Sequence, residues 1–235
     1  MNTRTRTPAS HANLWWRWAI ATIAGFVMGG ILGGGAGFIG LYWLGIVFVW
    51  IGLCPYNQGA IACFLLSAVL AAALTVGTVV GVVQWWILRR FIRRSKWWIL
   101  ATALGWSGVA VSMAVLAYTN PPTPVANPDG TFSQRAILDN AELIIFAVTG
   151  VLVAAAFLGL LQWLVLRLSV RSAIWWVLMN ILVWLIGSAI MVLMVRGSGG
   201  ILGVGLFFVG FSPAYAVISG IVLGKLIRFR SPQSA

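Results

Sequence analysis

Apolar stretches of about 20 residues or more recur from Trp18 to Lys225, the length an α-helix needs to cross about 30 Å of hydrocarbon. Strict alternation of apolar and polar positions is absent, which argues against an outer-membrane barrel. The breaks between stretches predict an all-α, polytopic membrane bundle of six transmembrane helices. Three run outward near Trp15–Ala36, Trp97–Tyr118 and Ile174–Val195, and three inward near Ala60–Leu88, Asn140–Leu166 and Gly200–Ile227. A further segment, Gly37–Leu53, is apolar enough to cross, but a crossing there would invert everything after it. It is therefore expected to take a re-entrant, interfacial or protein-buried course. Between Thr119 and Asn140, Pro121, Pro122, Pro124, Pro128 and Asp129-Gly130 predict a loop without helix. Residues 1–13 and 231–235 read as polar tails around a single transmembrane domain at 14–230.

The chain repeats itself. Gly81-Val-Val-Gln84-Trp85-Trp-Ile-Leu-Arg89, leading into Trp97-Trp98-Ile-Leu-Ala-Thr102, recurs as Gly159-Leu-Leu-Gln162-Trp163-Leu-Val-Leu-Arg167 leading into Trp175-Trp176-Val-Leu-Met-Asn180. Trp18, Thr22, Gly25 and Phe26 match Trp98, Thr102, Gly105 and Trp106, and Gly220 precedes Arg228 as Gly81 precedes Arg89. These matches predict three parallel two-helix repeats, about 15–89, 97–167 and 174–228, around an axis along the membrane normal, an organisation that transporters also use.

Composition agrees with a bilayer solvent: 61% of the 235 residues are hydrophobic and 8% charged, far from a soluble domain. The apolar run after Arg4 and Arg6 is too long for a signal-peptide core and is expected to stay as a span. A net charge of +12 would point to nucleic acid in a soluble protein, but here no soluble basic domain exists to carry phosphate contacts. Thirteen of the fifteen basic residues fall before or at the start of the first span, in the turns after the first two inbound helices, and at the end of the last one. Arg135, Arg196 and all three acids, Asp129, Asp139 and Glu142, fall on the other side. The basic side is expected to be cytoplasmic, with both termini there.

Four sets of residues stand out. Gly25, Gly29, Gly33 and Gly37, spaced by four, line one helix face and permit close backbone approach; Gly77, Gly81, Gly159, Gly220 and Gly224 repeat the device on inbound helices. Gln84, Thr102, Gln162 and Asn180 lie at matching depth about 6 to 8 Å inside the basic boundary and predict interhelical clamps, with Gln84 facing Thr102 and Gln162 facing Asn180. A polar ring for a substrate at the inner mouth is the alternative. Ten tryptophans, Trp18, Trp98 and Trp176 among them, lie near the basic boundary and predict an interfacial belt rather than an aromatic cage. Arg89, Arg90, Arg93, Arg94, Lys96, Arg167 and Arg228 are candidates for anchoring to anionic headgroups, favoured also by the negative ends of the inbound helices.

Other residues offer less. Glu142 reads as an outer cap of its helix, Pro213 as a kink, and Cys54 and Cys63 as ordinary membrane residues or an outer disulfide. His11 stands alone in the tail. No nucleophile elbow, phosphate loop, metal cluster or intramembrane carboxylate pair occurs, so no catalytic, cofactor or metal site is expected.

The repeated Gly-x-x-Gln-Trp-x-x-Leu-Arg and Trp-Trp-x-Leu units, at Gly81–Leu100 and Gly159–Leu178, resemble a group of uncharacterised bacterial multi-pass proteins, often cyanobacterial. The resemblance implies a membrane location and a repeat architecture and brings no known activity, and the membrane is expected to be a bacterial inner membrane; Leu223-Gly224, where Gln-Trp is lost, and the segment 37–53 depart from the pattern. Together these features point to a non-enzymatic membrane scaffold, or a lipid- or partner-binding subunit. Its expected partners are anionic lipids and a membrane protein or a second copy of the chain. The competing expectation is a transporter or the substrate-binding membrane component of one, which would need a solvent-filled midplane cavity lined by Ser, Thr, Asn or Gln.

Overall fold

A computed structural model describes residues 14–51, 60–92, 94–119, 124–126, 132–134, 141–170, 172–198 and 201–228. The helices are α1 (Leu14–Trp50), α2 (Ala60–Leu88), α3 (Trp97–Thr119), α4 (Ala141–Leu166), α5 (Ile174–Ser198) and α6 (Ile201–Arg228). Within the loop after α3, β1 (Pro124–Ala126) pairs antiparallel with β2 (Phe132–Gln134), Val125 opposite Ser133. Five of the six helices have described stretches long and apolar enough to cross a membrane; α3 shows a shorter one, Trp97–Ser112. The protein is a polytopic helical bundle.

Each helix packs on its neighbours in the chain, and α6 closes on α1, so the six form a ring. The outer surface is apolar, with exposed side chains such as Ile31, Phe38, Leu65, Leu182 and Ile186. Such a perimeter is stable against lipid tails and untenable in water.

The first helix departs from expectation. Residues 37–50 take no re-entrant or interfacial course but continue α1 without a break, giving a helix of 37 residues. The reason is the glycine face, which does not stop at Gly37. Gly40 and Gly45 extend it, and all six glycines are buried against α2. A Cβ on Gly29 would lie 3.2 Å from Val76 Cα, and one on Gly37 would lie 3.2 Å from Ala68 O. The two backbones are therefore in direct contact, and the residues of α2 that meet Gly25 to Gly40 are small or β-branched, with Phe64 against Gly45. One uninterrupted helix keeps the alternation of helix directions that a separate crossing at 37–53 would have inverted. α1 runs 32 residues past Trp18, whereas α3 runs 21 past Trp98, so α1 projects about 16 Å further at 1.5 Å per residue.

The turns after α2 and α4 are built alike. Ile92 N–H reaches Leu88 O at 2.9 Å and Val170 N–H reaches Leu166 O at 2.8 Å; Trp98 N–H reaches Ser95 O and Trp176 N–H reaches Ala173 O, both at 3.0 Å. Ile92 and Val170 are buried beneath their turns and fix the exit of each helix toward the next. Pro213 lies inside α6, where it removes one backbone donor.

Candidate functional site

Trp98, Thr102 and Trp106 recur every four residues and so share one face of α3; Trp176, Asn180 and Trp184 do the same on α5, and Trp18, Thr22 and Phe26 on α1. A polar side chain on that face is disfavoured against lipid, and the face turns inward. Trp18, Trp98 and Trp176 meet at the ring's centre with 0% exposure each. Their ring centroids are 5.8, 6.0 and 5.5 Å apart, all edge to face. Such pairs contribute about 0.5–1.5 kcal/mol each beyond area burial. These three tryptophans are thus removed from the expected interfacial belt. Trp97 and Trp175, one position earlier, point outward at 60% exposure each, and Trp15, Trp16 and Trp86 are also exposed.

A second aromatic tier lies two turns deeper. Phe26 contacts Trp106 at 5.5 Å, Trp106 contacts Trp184 at 5.9 Å, and Tyr215 and Phe211 of α6 fill the remaining side. Between the tiers sit Thr22, Thr102 and Asn180, all buried.

A buried indole N–H needs an acceptor, and the inbound helices supply one to each member of the triad. Trp98 Nε1 donates to Gln84 Oε1 at 2.9 Å, and Trp176 Nε1 donates to Gln162 Oε1 at 2.8 Å. Each glutamine then donates in the other direction: Gln84 Nε2 to Thr22 Oγ1 and Gln162 Nε2 to Thr102 Oγ1, both at 3.1 Å. The expected pairing is corrected accordingly. Gln84 reaches back to Thr22 and forward to Trp98, not to Thr102, and Gln162 bonds Thr102 and Trp176, not Asn180. An inbound helix lies between two outbound ones, and a glutamine long enough to span both uses each end of its amide.

The third inbound helix has Leu223 at the glutamine position, and two residues of α6 divide the missing amide's work. Ser219 Oγ accepts from Trp18 Nε1 at 3.0 Å, and Tyr215 Oη donates to Asn180 Oδ1 at 3.0 Å. Hydrogen bonds consequently link α1 to α6, α6 to α5, and onward through α4, α3 and α2 back to α1. Thr102 and Asn180 complete their own bonding on the carbonyls of Trp98 and Trp176 at 2.8 and 2.9 Å.

The inbound glycines make room for these contacts. A Cβ on Gly81 would lie 3.0 Å from Ile99 Cα, on Gly159 3.2 Å from Val177 Cα, on Gly77 2.8 Å from Ala103 Cα, and on Gly220 2.6 Å from Trp15 O. Gly224 is looser, with Trp15 Cβ at 3.9 Å. On α1, a Cβ on Gly25 would lie 3.1 Å from Val80 Cα and one on Gly33 3.1 Å from Ala72 O.

At the basic end, Arg89 lies over Trp85 and Trp86 at 5.5 and 5.7 Å, Arg90 over Trp86 at 5.8 Å, and Arg167 over Trp163 at 4.9 Å. Trp85, Arg89, Arg94, Ser95, Lys96 and Trp97 line a recess of about 360 Å³. A larger groove of about 740 Å³, almost wholly apolar, runs between α5 and α6 from Trp175 and Lys225 to Leu182 and Ile218. Arg93, Cys54 and the side chains of Cys63, Glu142 and Arg228 lie outside the described residues. Among the described residues, no three His, Cys, Asp or Glu side chains gather as metal ligands.

The interior glutamines were legible as polar groups in hydrocarbon; Ser219 and Tyr215 were not, because the matching positions of the other two repeats are apolar, Val80 and Leu158 for Ser219 and Val76 and Ala154 for Tyr215. No protein-family profile matches the chain, and comparison with curated proteins and with solved structures finds no match either.

Proposed function

We propose that this integral membrane protein is a non-enzymatic scaffold, or a lipid- and partner-binding subunit of a membrane complex, in a bacterial inner membrane with its basic end in the cytoplasm. The observation that carries the reading is the centre of the ring: near the basic end, where a substrate path would have its inner mouth, three tryptophans fill the axis and every one donates its N–H to a protein acceptor. The polar groups expected to line a substrate path, Gln84, Gln162, Thr102 and Asn180, bond one another and the tryptophans instead. A centre packed in this way suits a protein whose work lies on its perimeter.

The perimeter offers two surfaces. One is the basic end with its arginine-capped tryptophans, matched to anionic headgroups. The other is the projecting part of α1, where Tyr42, Trp43 and Trp50 are exposed. In-membrane photo-crosslinking from Tyr42 and Trp43 tests the scaffold reading. The expected product is a discrete adduct joining this chain to a membrane protein or to a second copy; adducts to lipid alone contradict it.

A further inference from the structure

The recess at the first basic turn holds more charge than the fold requires. Arg89, Arg94 and Lys96 converge on about 360 Å³ between the end of α2 and the start of α3, with Trp85 and Trp97 as walls. No Asp or Glu precedes Asp129 in the sequence, and Glu142 lies at the other end of α4, about 36 Å along that helix from Leu166. Three cations therefore share one recess with no carboxylate from their own half of the chain. Trp85 adds an indole N–H that is buried and, like that of Trp184, has no acceptor among the described residues.

The second turn shows that this charge is not structural. Five backbone hydrogen bonds of the first turn recur in it within about 0.1 Å, yet Ser172 stands at the position of Arg94 and Ile174 at that of Lys96. The same turn thus forms with one of the three cations. Arg94 and Lys96 must answer to something outside the polypeptide.

We propose that the recess is a binding site for the phosphate of one anionic glycerophospholipid. The inference deepens the lipid-binding part of the reading above and rests on it. The guanidiniums of Arg89 and Arg94 present planar donor forks to phosphate oxygens, and the Lys96 ammonium adds a point charge. A lipid is favoured over a free anion by what surrounds the recess. Trp97, which lines it, and Trp86, which stacks on Arg89, are exposed, and Val82 and Leu100, one turn deeper on α2 and α3, are exposed and apolar. A phosphate held here places its acyl chains along those residues, at the depth where tryptophan sits in an interface.

Native mass spectrometry of the full chain in mild detergent, titrated with dioleoyl phosphatidylglycerol, dioleoyl phosphatidylcholine or potassium phosphate, tests the site. Wild type is expected to retain one phosphatidylglycerol. Arg94→Ser with Lys96→Ile, which gives the first turn the second turn's residues and so preserves its fold, is expected to weaken that binding about 25-fold, a factor of roughly five per cation. The reciprocal Ser172→Arg with Ile174→Lys is expected to add a second bound phosphatidylglycerol. Unchanged phosphatidylglycerol affinity in the first variant overturns the proposal. So does equal retention of phosphatidylcholine, and competition by millimolar phosphate would reassign the recess to a free anion. Crosslinking from Tyr42 and Trp43 reads the scaffold independently, so the two can fail separately.

Discussion

The indole N–H of Trp18 donates to Ser219 Oγ at 3.0 Å across 201 residues of sequence, joining the first helix to the last. Ser219 and Tyr215 together replace the glutamine that the third inbound helix lacks. Ser219→Ala leaves a buried indole donor unsatisfied and is expected to cost about 1–3 kcal/mol of stability in detergent unfolding. Adding Leu223→Gln to Ser219→Ala with Tyr215→Phe is expected to recover part of the loss, because it restores the amide that Gln84 and Gln162 supply elsewhere. Equal stability of wild type and Ser219→Ala would show that the closing bond carries nothing.

The route of the glutamines is tested by coupling rather than by single losses. Gln162→Leu combined with Thr102→Val is expected to show an interaction energy of about 0.5–2 kcal/mol, and Gln84→Leu with Thr102→Val a clearly smaller one. Both cycles share the same threonine variant, so side effects of that change cancel in the comparison. The reverse order would return the pairing to the one that spacing alone predicts.

Glycines on α1 divide into two faces. Gly33 has Val76 and Ala72 within van der Waals distance of a Cβ, whereas Gly34 has nothing within 4 Å. Gly33→Leu is expected to destabilise the bundle by about 1–3 kcal/mol through overpacking, and Gly34→Leu to leave thermal stability unchanged or slightly higher. Comparable losses in both would mean that glycine is required on α1 for a reason other than its contact with α2.

How much of this was legible in the sequence depends on which side of each helix a residue occupies. Six helices and their turns follow from apolar length and basic punctuation, because the bilayer imposes both. The long α1 was concealed by the question of whether residues 37–53 cross, although Gly40 and Gly45 continue the buried face of Gly25 to Gly37 and mark a single helix. Depth alone places tryptophans in an interfacial belt, which suits Trp97 and Trp175. Trp98 and Trp176 share a face with Thr102 and Asn180, and that shared face is the signal for an inward course. Ser219 and Tyr215 break the repeat, and only the packed ring reveals that two side chains have taken over one amide's contacts.

The proposed orientation rests on the distribution of charge. In a background lacking Cys54 and Cys63, single cysteines in place of exposed Lys96 and of Asn127 are expected to react with impermeant maleimide from opposite sides, Lys96 from the cytoplasm. Labelling of both from one side would contradict a ring of six crossings.

The most direct test concerns the sealed axis. Single cysteines replacing Thr22, Thr102 or Asn180 in the same background, reconstituted in lipid vesicles permeabilised to expose both faces, can be timed against Lys96→Cys with a small charged thiosulfonate. The account predicts rapid reaction at Lys96→Cys and none at the three axial positions until the protein is unfolded. Reaction at Thr102→Cys or Asn180→Cys at a rate approaching that of Lys96→Cys would place water between the aromatic tiers and contradict the packed centre on which the scaffold reading depends.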